Sequence, residues 1–181
     1  MRKAVGVIAA AMALSATGCT GSADRSGPFP ARPYSINVAE VDPCSAFSDE
    51  QRAEFNLRSG SAGVAQGGTS QACTWPSNDG VGYSFQTLAV DAQAAIGAEP
   101  TSVIVTVAGF GAVQSSPPAE GTGLPFCQVV LDVADDASLR AQLQISPRGA
   151  ETGRYTVDNT CEQVRRVAAL MLDNLHAQQT G

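Results

Sequence analysis

Residues 127–145 read CQVVLDVADDASLRAQLQI. Side chains alternate between the two faces of a strand, so Cys127, Val129, Leu131 and Val133 share one face. Leu139, Ala141, Leu143 and Ile145 share one face of a second strand, and Asp135-Asp136 falls at the turn between them. A slip of one residue would carry every apolar side chain to the solvent face, so the register of this hairpin is well specified.

A hairpin with one apolar face needs a cover. The C-terminal stretch supplies it: Val164, Val167, Ala168, Met171 and Leu175 recur at helical spacing and form one stripe, with Arg165 and Arg166 facing outward. Asn159, with Glu162 three residues on, predicts the N-cap. Upstream, Gln71–Trp75 and the alternating Val81, Tyr83 and Phe85 predict a second hairpin around Asn78-Asp79-Gly80. The β-branched run Ser102–Val107 reads as a buried strand, bent at Gly109-Phe110-Gly111, with pairing resuming over Ala112–Ser115. Residues 58–70 are rich in Gly, Ser and Thr and read as a loop or weak strand. Asp91–Ala98 suits a turn or two of helix. Asp42-Pro43 caps a first helical turn holding Cys44, and Ser48 with Gln51 opens a short helix whose flanks, Phe47 and Phe55, reach the core. The expected class is α+β: an antiparallel sheet of about five strands with the N- and C-terminal helices packed on it.

The start of the chain has another purpose. Arg2 and Lys3 precede the uncharged run Ala4–Leu14, and Ala16-Thr17-Gly18 lead into Cys19. That order is a secretory signal, and its apolar run is shorter than the roughly 20 residues a membrane span needs. A Cys directly after Gly resembles the bacterial lipobox, which implies that Cys19 receives a diacylglyceryl group and becomes the mature N-terminus. Residues 1–18 are then a signal peptide and 19–41, rich in Pro, Gly and Ser, a lipidated tether. Residues 42–178 form a single domain. The expected location is the extracytoplasmic face of the cell membrane.

Composition narrows the partners. Of 181 residues, 44% are hydrophobic and 15% charged, as in a globular domain. Removing Arg2 and Lys3 from the 11 basic residues leaves nine, all Arg, against 17 acidic ones. Such a balance disfavours nucleic acid, and membrane attachment falls to the acyl chains. Beyond Cys19, the cysteines are Cys44, Cys73, Cys127 and Cys161. An even set in an exported domain predicts two disulfides. Metal binding would need closer ligand pairs, and the only histidine is His176.

Several of these features resemble a family of actinobacterial lipoproteins with the domain of unknown function 3558. They are Asp42-Pro43-Cys44 before a short helix, Cys73-x-Trp75, Val105-x-Val107-x-Gly109 with Ala112-Val113, the Cys127 hairpin, and Cys161 opening an amphipathic helix. Asn159-Thr160 stands where members often carry Asp-Pro, and Ala16 where a lipobox prefers Leu. The resemblance implies compartment and fold but carries no activity. Of the three pairings four cysteines allow, Cys44–Cys73 and Cys127–Cys161 is expected, because it joins the first turn of each terminal helix to a nearby strand.

No chemistry-bearing motif stands out. After Gly109-Phe110-Gly111, position 114 is Gln and Ser115-Ser116-Pro117-Pro118 cannot open a phosphate-binding helix. Gly60-Ser61-Ala62-Gly63 lacks nucleophile-elbow spacing. His176 has no partner in sequence, Asp135-Asp136 reads as turn chemistry, and Trp75 reads as packing beside its disulfide. The chain is therefore expected to use no cofactor or metal. It is expected to be a non-enzymatic binding domain for an envelope protein or apolar ligand, the alternative being part of an envelope hydrolase. The loop Gly109–Pro125 with the adjoining end of the sheet, having Phe110, Leu124 and Phe126 on or beside it, is the expected recognition surface; the plainer reading is a solvated connection whose Phe residues plug the sheet end.

Overall fold

The computed structural model describes residues 27–116 and 123–181. The signal segment, Cys19 and residues 117–122 of the expected recognition loop lie outside the described residues. Seven strands run β1 (Ser61–Ala65), β2 (Ser70–Pro76), β3 (Val81–Leu88), β4 (Val103–Val107), β5 (Phe110–Ser115), β6 (Phe126–Ala134) and β7 (Ala137–Ile145). The helices are α1 (Asp49–Glu54), α2 (Pro147–Ala150) and α3 (Val157–Thr180). One sheet has the order β1-β2-β3-β7-β6-β5-β4, and every neighbouring pair is antiparallel. The fold is α+β, with seven strands where about five were expected. Of the stretch 58–70, whose composition suits a loop or weak strand, Ser61–Ala65 forms β1 because β2 offers it a free edge; its own β propensity is slight.

The 127–145 hairpin pairs as its apolar pattern requires, with Cys127 opposite Leu143, Val129 opposite Ala141 and Leu131 opposite Leu139. All six are essentially inaccessible. Helix α3 covers this face with Val164, Val167, Ala168, Met171, Leu172 and Leu175, all buried. Its N-cap is Thr156, whose hydroxyl accepts from the Asn159 amide, so Asn159 is the third helical residue and not the cap. The reciprocal bond from the Thr156 amide to Asn159 Oδ1 completes a capping box, which starts the helix at Val157. Helix α1 has the expected Ser48–Gln51 box but buries none of its own residues; Phe47 before it is buried and Phe55 after it is partly so.

The disulfides are Cys44–Cys73 and Cys127–Cys161. The first joins the 3-10 turn Pro43–Ser45 to β2, and the second joins β6 to α3. Trp75 lies two residues beyond Cys73, 1% exposed and edge-on to Phe47 at 5.0 Å, in the packing role expected of it.

Two expectations are corrected. The run 102–107 is not a buried strand: β4 is the sheet edge, and Val103 and Ile104 are 50% and 48% exposed. Residues 27–41, expected as part of a tether, pack on the domain. Ile36 is 1% exposed and its amide donates to the Val133 carbonyl at 3.1 Å. Tyr34 stacks on His176 at 3.8 Å and meets Phe110 edge-on at 4.8 Å. Phe29 lies so close over Gly111 that a Cβ there would stand 2.5 Å from it. The prolines that suggested a linker also favour an extended strap that loses little entropy on docking.

Candidate functional site

The site lies where β3 begins and β7 ends. Val81 pairs with Ile145, and the turn before β3 meets α2 just after β7. Ser146 caps α2 through the Gly149 amide, and its own amide donates to the Gly80 carbonyl at 2.9 Å. Gly80 has φ +81°, and a Cβ on it would stand 2.5 Å from the Gly149 nitrogen. Turn and helix therefore touch backbone to backbone. Above this contact opens a cleft of about 600 Å³, lined by Arg58, Asn78, Leu124, Gln144, Pro147 and Arg148 among others. That size suits a small organic ligand.

Two smaller hollows share its walls. One meets it at Asn78 and Arg148 and reaches Arg154 and Tyr155, with Asp79 and Glu151 also in its lining. The other meets it at Gly82 and Gln144 and reaches Ser84, Gln142 and Phe126 on the sheet face opposite α3. Together they make a groove running from the sheet face around the strand ends to α2.

On that face a polar row crosses four adjacent strands. Ser84 Oγ donates to Gln142 Oε1 at 2.9 Å, Gln142 Nε2 to Gln128 Oε1 at 3.0 Å, and Gln128 Nε2 to Ser115 Oγ at 3.0 Å. Each bond fixes an amide's orientation and leaves it a second N–H and a second lone pair. Arg140, on the next rung of β7, donates to Gln86 Oε1, and burial lowers the proton affinity of its guanidinium. Arg140 Nε and Gln86 Nε2 are buried with no hydrogen-bond partner.

The charges at the groove differ from those elsewhere. Arg32 pairs with Asp132 and Asp135, Arg52 with Asp49 and Arg166 with Glu54. Arg140 and Arg165 form no ion pair but donate to Gln86 and Gln114, whereas among the described residues Arg58, Arg148 and Arg154 form no ion pair and are exposed around the groove.

Of the expected recognition residues, Leu124 lines the cleft and Phe126 its sheet-face extension. Phe110 is not with them. It starts β5, is fully buried and contacts Tyr34, so it belongs to the core and the expected loop shortens to the stretch after Ser115. The Asp135-Asp136 pair forms the β6–β7 turn, with Asp136 at φ +57° and Asp135 bonded to Arg32. Arg58 and Arg148 are not singled out by the sequence: they stand far apart in it, and their distinction is that they form no ion pair among the described residues. Gln128, Gln142 and Gln144 are legible as the polar positions of alternating strands, but the bond between Gln142 and Gln128 is not.

Among the described residues no group of His, Cys, Asp and Glu could hold a metal ion, and no helix is long and apolar enough to cross a membrane. The family described as "Protein of unknown function (DUF3558)" matches residues 14–174. No curated protein and no solved structure matches the chain.

Proposed function

This chain belongs to the DUF3558 family of proteins of unknown function, and we propose that it is a lipoprotein of the actinobacterial type, tethered through Cys19 outside the cell membrane, whose domain binds a ligand without transforming it. The composition of the cleft carries the binding half. Among the described residues its walls are guanidinium, amide, proline and aliphatic groups, with no carboxylate, histidine or thiol. The two hydroxyls there are already engaged: Ser77 Oγ accepts from the Asp79 amide, and Ser146 caps α2. Such a wall holds a ligand but moves no proton at neutral pH.

The tethering half rests on the order of residues 1–19, which fall partly within the family match. Its geometry is coherent. Gly27 lines a hollow with Asp132 and Asp135 near the β6–β7 turn, whereas the groove lies at the other end of the same two strands. Nine residues of strand span about 30 Å, so the groove would face away from the lipid. Two acyl chains hold a protein firmly where one is marginal. Growth with labelled palmitate should label the wild type in the membrane fraction and leave Cys19→Ala unlabelled. An unlabelled wild type would overturn the tether.

A further inference from the structure

The groove combines two surfaces: exposed arginines that form no ion pair among the described residues at one end, and a row of pre-oriented amides at the other. We propose that it binds an acidic saccharide, a chain of sugar units bearing carboxylates. This names the ligand of the binding site proposed above and rests on that reading.

Charge argues for the acid. Against 17 acidic residues, an anion approaching most of this surface is repelled. Arg58 and Arg148 share one cleft whose described lining holds no carboxylate, and neither forms an ion pair, although Asp79 and Glu151 line the adjoining hollow beside Arg148. Guanidinium groups recognise planar oxyanions through paired N–H donors, so a carboxylate completes what the protein leaves open.

The sheet face argues for the sugar. Gln142 and Gln128 each spend one donor and one acceptor on the row and keep one of each for a ligand hydroxyl, a group that both donates and accepts. Phe126, half-buried beside Gln142 and Gln144, offers an apolar surface to the C–H face of a sugar ring. The hollows share Gly82 and Gln144, so one extended ligand can touch the amides and the arginines together.

Calorimetric titration of the full chain in non-ionic detergent tests this with three probes: trigalacturonate, maltotriose and inorganic phosphate. Trigalacturonate should bind at least about tenfold more tightly than either of the others, and more weakly as salt rises. Arg58→Gln with Arg148→Gln should remove about tenfold or more of that affinity, and Gln142→Ala part of it, while Arg52→Gln changes nothing. Circular dichroism confirms that each variant is folded. No binding of trigalacturonate, equal binding of maltotriose or phosphate, or an unaffected double arginine variant overturns the proposal. Release of reducing ends during the titration would contradict only the non-enzymatic reading.

Discussion

The Arg32 guanidinium lies 2.5 Å from the Asp132 carboxylate, and each side chain is only 7% exposed. This pair fastens the strap at residues 27–36 to β6. Burial works against the charge on Arg32, but hydrogen bonds to Asp132 and Asp135 and their negative charges outweigh it and raise its proton affinity. Removing one partner from such a pair leaves the other charge buried and uncompensated.

Arg32→Ala should therefore cost about 3 kcal/mol of unfolding free energy. Arg52→Ala, which breaks the exposed pair with Asp49, should cost less than about 1 kcal/mol. Urea denaturation of the two variants checks the contrast, and equal midpoints would mean that the strap adds little stability.

The disulfides close loops with sequence separations of 29 and 34 residues. In the chain-entropy account each contributes about 3.5–4 kcal/mol, a large share of a domain's usual stability of about 5–15 kcal/mol. Reduction should lower the urea midpoint steeply, and Cys127→Ala with Cys161→Ala should reproduce about half of that loss. A reduced protein as stable as the oxidised one would contradict this.

Tyr83 is buried and its hydroxyl accepts from Gln163 Nε2 at 2.5 Å. Burial, with smaller effects from Tyr155 and Asp79, raises its pKa well above the ordinary 10.0. The unfolded chain loses this proton first, so stability is intact below pH 10 and falls above it, by up to about 1.4 kcal/mol per pH unit. Tyr34 adds to the fall in the same sense, through burial and then Asp173. Tyr83→Phe should flatten most of the slope between pH 10 and 11 in urea titrations; an unchanged slope would refute the assignment.

Gly80→Ala should disturb the cleft from behind. The added methyl meets the Gly149 backbone at a positive φ, so turn and α2 must separate. The expected cost is about 1–3 kcal/mol, with weaker trigalacturonate binding even though Gly80 offers no side chain. Full stability with unchanged affinity would show the contact to be soft.

The central hairpin, its cover helix and both disulfides were legible because each rests on a local pattern: alternation, helical spacing, caps and cysteine parity. Three readings fail where tertiary context decides, and a fourth stays open between loop and weak strand. That one, β1, exists only because β2 recruits it; β4 is exposed because the topology puts it at the edge. The strap looked like a linker because Pro and Gly dominate it, and single residues such as Ile36 and Tyr34 carry no periodicity. Phe110 seemed free for the same reason, yet it fills the space beneath Tyr34. At the site, Leu124 and Phe126 were reachable from the loop they flank, whereas the arginines depend on which of them the fold leaves without an ion pair.

The most direct measurement of where the ligand sits is a titration of the arginine side-chain Nε–H resonances with trigalacturonate. The account predicts large shifts for Arg58 and Arg148, smaller ones for Arg154, and none for Arg52 or Arg165. Shifts spread evenly over all arginines, or confined to Arg52 and Arg165, would contradict a ligand groove at the end of β3 and β7.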